Sequence, residues 1–124
     1  YYIVCFFKEN NMAIENLQLD GTQQDLLVAP TGKTYAITSI MVCNTYSPSG
    51  ASPASNNAQF DMHFRKNNQA LDVATTIVIR ELDLPAGETF TFDSEKVILS
   101  AGEKLTFVGD ANSNLAAMVS YLEV

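Results

Sequence analysis

His63 is the only histidine in this chain of 124 residues, and its neighbours are the side chains best suited to chemistry. Asp61 and Arg65 flank it at alternate positions, so an extended backbone would place all three on one side of a sheet. The Asp-x-His pair could supply two metal ligands if a third came from elsewhere. A solvated histidine between two charges is the simpler interpretation, and we adopt it here.

The other candidate motifs in the sequence do not predict a catalytic site. The segment Asp-Ala-Asn-Ser-Asn at 110–114 has oxygen side chains at alternate positions, as at the start of a calcium loop, but Tyr121 stands where the bidentate glutamate belongs. An Asn/Asp-rich hairpin turn explains the same residues. The chain has no Gly-x-Ser-x-Gly elbow. Several acidic residues lie near predicted turns without singling out a glycosidase pair: Glu81, Asp83, Glu88, Asp93 and Glu95. We therefore predict a protein that is not an enzyme and uses no cofactor and no metal.

Charge and cysteine content narrow the classes of partner. Lys and Arg number 7 against 14 Asp and Glu, which gives a net charge of -7. Nucleic acids and anionic membranes attract basic patches, so we predict neither as a partner. Cys43 lies in the apolar run 40–43, which favours a buried free thiol, and a disulfide with Cys5 is the alternative.

Three short stretches of the chain are nearly alike, and they predict the fold class. They are Pro-Thr-Gly-Lys-Thr-Tyr at 30–35, Pro-Ala-Gly-Glu-Thr-Phe at 85–90 and Ser-Ala-Gly-Glu-Lys-Leu at 100–105. Each has a turn with a glycine, followed by residues that suit a strand. Glycine adopts backbone angles that other residues avoid, so these stretches predict tight reversals between antiparallel strands.

Alternation of apolar and polar residues supports the same fold class. Phe60, Met62 and Phe64 would share one side of a strand and their polar neighbours the other. We predict about eight strands, at 25–29, 33–46, 58–66, 73–82, 88–93, 96–100, 103–109 and 115–123. Such short strands separated by turns predict an all-β fold, an antiparallel two-sheet β-sandwich or a jelly-roll-like variant. The side chains expected in its core include Met41, Phe60, Phe64, Phe90 and Phe92.

The domain prediction divides the chain near residue 25. Residues 25–124 are expected to form one β-sandwich domain, and the weakly patterned residues 1–24 an N-terminal arm. The apolar run 1–7, Tyr-Tyr-Ile-Val-Cys-Phe-Phe, is far shorter than the roughly 20 residues that cross a bilayer. Because Met12 resembles a natural start, we interpret residues 1–11 as translated upstream sequence or a gene-calling artefact, with a docking strand as the alternative.

The longest break in the pattern, at 47–57, is rich in small and polar residues and predicts an exposed loop. Its residues are candidates for contact with a partner: Ser47, Pro48, Ser49, Gly50, Pro53, Asn56 and Asn57. Exposed aromatic side chains can stack on a sugar ring. The tyrosines considered for such contacts are Tyr35, Tyr46 and Tyr121.

Five segments together carry a resemblance to a known class of proteins. They lie at 29–35, 37–45, 82–90, 97–105 and 119–123, and the most distinctive is Ile-Thr-Ser-Ile-Met-Val-Cys-Asn-Thr at 37–45. The pattern resembles small β-sandwich virion proteins of tailed bacteriophages, among tail, neck and capsid-decoration components, over roughly residues 26–124.

The resemblance implies a non-enzymatic structural protein. Such a protein would assemble as a homo-oligomer, with a trimer favoured, and would bind other virion proteins. It would be located in the virion after synthesis in the host cytoplasm. A carbohydrate- or receptor-binding β-sandwich module is the alternative function.

Overall fold

The computed structural model describes residues 12–47, 56–93, 96–110 and 114–124. Within these ranges it contains nine β-strands and no α-helix, which confirms the predicted all-β sandwich. The strands are β1 (Met12–Leu19), β2 (Gln23–Val28), β3 (Tyr35–Asn44), β4 (Ala58–Arg65), β5 (Ile77–Leu84), β6 (Thr89–Phe92), β7 (Val97–Leu99), β8 (Lys104–Val108) and β9 (Leu115–Glu123).

Two antiparallel sheets form the layers of the sandwich. Sheet A has the order β1-β9-β3-β6, and β7 pairs with the first residues of β3, beyond the end of β6. Sheet B has the order β2-β8-β4-β5. Neighbouring strands are therefore often distant in sequence, as β3 is from β9 and β2 from β8.

The three glycine turns carry the chain from one sheet to the other. Gly32, Gly87 and Gly102 have φ of 83°, 78° and 83°. In each turn the fourth residue's N–H binds the first residue's carbonyl, at 3.1 Å for 30–33, 3.1 Å for 85–88 and 2.9 Å for 100–103. A positive φ at the third residue is what a type II turn requires. The three predicted turns are confirmed, but they do not join paired antiparallel strands: they link β2 to β3, β5 to β6 and β7 to β8, which lie in different sheets.

Residues 12–19, for which no strand was predicted, are a strand in the structure. They form β1, which pairs with β9 along its whole length, from Met12 opposite Leu122 to Leu19 opposite Leu115. Exposed Glu15 interrupts the side of β1 that faces the interior, so neither side has a clear apolar period. Pairing with β9, a hundred residues away, decides the structure here. Residues 1–11 lie outside the described ranges, as does any pairing of Cys5.

The strand predicted at 73–82 begins later, as β5 at Ile77. Asp72 holds the preceding residues in a turn, because its carboxylate accepts the N–H of Ala74 at 2.9 Å and its carbonyl accepts the N–H of Thr76 at 2.8 Å. An aspartate that binds the backbone two residues on is a common alternative to a strand.

Apolar side chains of both sheets fill the space between the layers. Phe60 is fully buried there, with ring centroids 5.8 Å from Phe90 and 5.9 Å from Phe107. The predicted core residues Phe64, Phe90 and Phe92 are partly buried and pack against this core.

One predicted core residue lies on the other side of its sheet. In the apolar run of β3, Ile40 and Val42 are fully buried between the layers, whereas Met41 and Cys43 point outward and are only partly buried. The core prediction for Met41 is therefore wrong, and Cys43 is a free thiol that is not fully buried.

Candidate functional site

His63 is buried rather than solvated, so the interpretation of it as a surface residue is wrong. Only 3% of its surface is exposed, although it lies on the outer side of sheet B, because the connection at 66–76 covers it. Its Nδ1 lies 2.8 Å from the hydroxyl of Thr76. That hydroxyl donates to the Asp72 carbonyl, so the neutral ring donates from Nδ1. Burial, assisted by the charge of Arg65, lowers the pKa of His63 against an opposing effect of Asp61.

Asp61 and His63 have separate hydrogen-bond partners among the described residues. One carboxylate oxygen of Asp61 accepts the backbone N–H of Glu81 at 2.6 Å, while His63 is bound to Thr76. Among the described residues, no group of three or more His, Cys, Asp and Glu side chains could hold a metal ion. The pair therefore anchors neighbouring backbone and side chains.

A buried polar cluster around Arg65 crosses three adjacent strands of sheet B. The guanidinium donates to Asp25 on β2 at 2.8 Å, to the Thr106 hydroxyl on β8 at 3.0 Å and to the carbonyl of Gln69 at 2.9 Å. Thr106 also donates to the same Asp25 oxygen at 2.7 Å. Arg65 is 8% exposed. Together with His63, this cluster fastens the 66–76 connection to the outer side of sheet B.

Asn44 is a structural residue that the sequence analysis did not identify. It is fully buried, and its amide donates to the carbonyls of Asn56 at 2.8 Å and Leu84 at 2.9 Å. Its side-chain oxygen accepts the N–H of Tyr46 at 3.1 Å. It therefore joins the ends of β3 and β5 to Asn56, two residues before β4 begins. Its place in the distinctive segment 37–45 was the available clue.

The predicted partner-contact loop is described only at its two ends. Ser47, Asn56 and Asn57 lie within the described ranges, and Asn57 donates to Asp83 at 3.1 Å. Outside those ranges are Pro48, Ser49, Gly50 and Pro53.

The three candidate tyrosines do not form one platform. Tyr35 and Tyr121 lie together, with ring centroids 4.6 Å apart, and only 8% of Tyr121 is exposed. Burial and the nearby charge of Glu15 raise the pKa of Tyr121. Tyr46 follows the opposite end of β3 and is 38% exposed.

The segment considered as a calcium loop connects β8 in sheet B to β9 in sheet A, so it is not a hairpin turn. Asp110 accepts the backbone N–H of Gln59 at 3.0 Å, and the Asn114 carbonyl accepts the N–H of Thr45 at 2.7 Å. Residues 111–113 lie outside the described ranges.

The outer face of sheet A is formed by uncharged side chains on its described strands. In an antiparallel pair, directly opposed residues share one side of the sheet, so the strand registers define which side chains form this face. They are Met12, Ile14, Asn16, Gln18, Ala36, Ser39, Met41, Cys43, Thr89, Thr91, Ile98, Ala116, Met118, Ser120 and Leu122. None of these side chains carries a charge, and Met12, Ile14 and Ile98 are 60–62% exposed.

An open groove of about 540 Å³ lies on the half of this face nearer to Leu115, across β1, β9, β3 and β6. Its lining includes small Ala116 together with Met41, Met118, Cys43 and Thr89. Flexible methionines adapt to irregular partner surfaces, so the groove suits an apolar side chain from another molecule.

Comparisons of the chain with protein-family models, with curated proteins and with solved structures find no match. The described residues contain no helix that is both long and apolar enough to cross a membrane. A functional conclusion therefore depends on the outer face of sheet A and on the buried clusters themselves.

Proposed function

We propose that this chain is a non-enzymatic structural protein that associates with copies of itself through the outer face of sheet A. The observation that carries the proposal is the absence of charge from the described strands of that face, in a chain whose net charge is -7. Soluble monomers usually distribute charge over their surfaces, and an extended apolar or uncharged area is typical of a contact surface.

The setting that we propose is the virion of a tailed bacteriophage, as a tail, neck or capsid-decoration component. The support is the sequence resemblance over roughly 26–124, together with a surface that suits repeated contacts between identical subunits and with other virion proteins.

The size of the face indicates how strong one contact can be. Four strands about 4.8 Å apart and about eight residues long give roughly 500 Å². Stable interfaces usually bury about 800 Å² on each partner. The face alone should therefore support weak, concentration-dependent association.

Light scattering of the full chain over a range of concentrations tests self-association. We expect a mass that rises above the 13.6 kDa monomer. Met118→Glu places a charge at the centre of the face, and an unpaired charge buried in a contact costs several kcal/mol. The dissociation constant should therefore rise about 100-fold or more.

Val78→Glu is the matched control, because Val78 is a 48% exposed apolar residue on β5 in the other sheet. It should leave the association unchanged, and thermal unfolding should show that both variants fold. A wild-type chain that stays monomeric at every concentration, or equal effects of both variants, would contradict the proposed contact.

Mass spectrometry of purified phage particles tests the setting. Peptides of this chain should accompany the particle proteins in fixed proportion. Their presence in the infected-cell lysate but not in particles would rule out a virion role.

A further inference from the structure

The two halves of the outer face of sheet A have different shapes. On the half nearer to Leu122, directly opposed residues of four strands form an apolar row: Met12, Leu122, Ala36 and Ile98. Met12 and Ile98 are 62% and 60% exposed, and with Ile14 they are the three most exposed large apolar side chains on the described strands. This half therefore presents apolar side chains that protrude from the sheet.

The half nearer to Leu115 carries the groove instead. The outermost row of opposed residues there, the groove row, lines the groove along its whole length: Gln18, Ala116, Cys43 and Thr89. Leu122 and Ala116, the members of the two rows on β9, lie six residues apart, roughly 20 Å. One face thus carries both a protruding apolar row and a recess of a size to receive it.

We propose that two copies of this chain pack outer face against outer face across a twofold axis perpendicular to the strands, so that the apolar row of each copy fills the groove of the other. The inference deepens the proposed function and rests on its self-association. A twofold contact uses the same surface on both subunits, so each contact between a row and a groove is made twice. Facing sheets lie about 10 Å apart with interdigitated side chains.

Packing selects this axis over the alternative. A twofold axis parallel to the strands would stack apolar row on apolar row, which holds the sheets apart, and would leave two grooves of about 540 Å³ each facing one another. Well-packed contacts leave few voids larger than a water molecule, because atoms that line a void lose their dispersion contacts.

The perpendicular axis also predicts which residues meet. It crosses β9 near Val119, midway between Leu122 and Ala116, so Leu122 of one copy lies over Ala116 of the other. On β3, which is paired with β9, Ala36 of one copy lies over Cys43 of the other in the same way.

A charge exchange between these positions tests the orientation. Leu122→Lys and Ala116→Glu each bury two unpaired charges in the symmetric contact, so each variant alone should disperse at the concentration at which wild type associates. In an equimolar mixture, the lysine of one variant meets the glutamate of the other, and the second contact between row and groove is wild type. The mixture should therefore associate about tenfold or more tightly than either variant alone.

A like-charge mixture of Leu122→Lys and Ala116→Lys is the matched control and should remain dispersed. Light scattering measures all of these samples, and thermal unfolding shows that each variant folds. Ala36→Lys and Cys43→Glu repeat the exchange on β3, so the test does not depend on a single pair of variants.

The orientation is overturned if neither exchange restores association, or if Ala116→Glu mixed with Ala116→Lys associates instead, as the parallel axis predicts. Another segment or protein seated on the apolar row would also prevent restoration and would overturn the inference in the same way. If wild type associates and Met118→Glu disperses it, such results remove the orientation alone, whereas a monomeric wild type removes both proposals.

Discussion

Arg65→Met should destabilise the domain through one identifiable set of contacts. Methionine keeps most of the aliphatic length of arginine but removes its charged head. The change deletes the donors to Asp25, Thr106 and the carbonyl of Gln69. Thr106 retains its own bond to Asp25, so the aspartate loses its ionic partner but not all of its hydrogen bonds.

The magnitude follows from the burial of the two charges. Removing one partner of a buried ion pair costs about 3–5 kcal/mol. The Asp25 side chain is 33% exposed, against 8% for Arg65. Water therefore solvates part of the remaining carboxylate, and we expect a loss of about 2–4 kcal/mol in the free energy of unfolding. For a domain of this size, that lowers Tm by about 10 °C.

Urea unfolding followed by circular dichroism measures this loss, and Arg80→Met is the matched control. Arg80 contacts Glu81 at 3.0 Å, but the two side chains are 56% and 61% exposed. Exposed pairs contribute at most about 1 kcal/mol, so the control should change the urea midpoint little. Faster amide exchange at 66–76 should appear only in Arg65→Met. Equal losses in the two variants would refute the structural role assigned to the buried cluster.

Two further predictions concern pH and backbone strain. The domain should lose stability as the pH falls below about 6.5. In the unfolded chain His63 has its ordinary pKa and binds a proton there, whereas the buried ring of the folded chain has a lowered pKa and binds a proton only at lower pH. Protonation therefore favours the unfolded chain. Between pH 7 and 5.5, the urea midpoint of His63→Gln should change less with pH than that of the wild type. The same change with pH in both proteins would contradict the role assigned to His63. Gly102→Ala should lower the free energy of unfolding more than Gly32→Ala does. Both glycines have φ of 83°, which costs alanine about 1–2 kcal/mol at either position. Only at 102 would the added Cβ also lie 2.5 Å from Cγ of Asn67, whereas nothing lies within 4 Å at 32. Thermal unfolding compares them, and equal Tm values would argue against the contact with Asn67.

Local patterns were enough to predict the class of fold and many of its strands. The glycine turns at 30–33, 85–88 and 100–103 depend on a few adjacent residues, and the structure has all three. Alternation at Phe60 and Met62 likewise marked a side of β4 that is buried in the core. Such features can be predicted from a single sequence because neighbouring residues determine the backbone angles of a turn and the side-chain period of a strand.

Alternation predicted burial incorrectly where another part of the chain packs on the outer side of a strand, or where both sides of a strand are apolar. It separated His63 and Arg65 from the core side of β4 correctly, but it could not show that the 66–76 connection buries them. It also placed Met41 in the core, because an apolar run on both sides of β3 does not say which side faces the interior.

By itself, the sequence determined that this chain is built of short antiparallel strands joined at glycine turns, since turn chemistry and apolar period are properties of neighbouring residues. Only the tertiary structure decided what each strand contacts. Strand order places β8 between β2 and β4, and so brings Asp25 to Arg65 across 40 residues of sequence. Among the described residues it also places β1 at the end of sheet A, paired with β9, because pairing between distant strands depends on the whole fold and leaves no local pattern to detect.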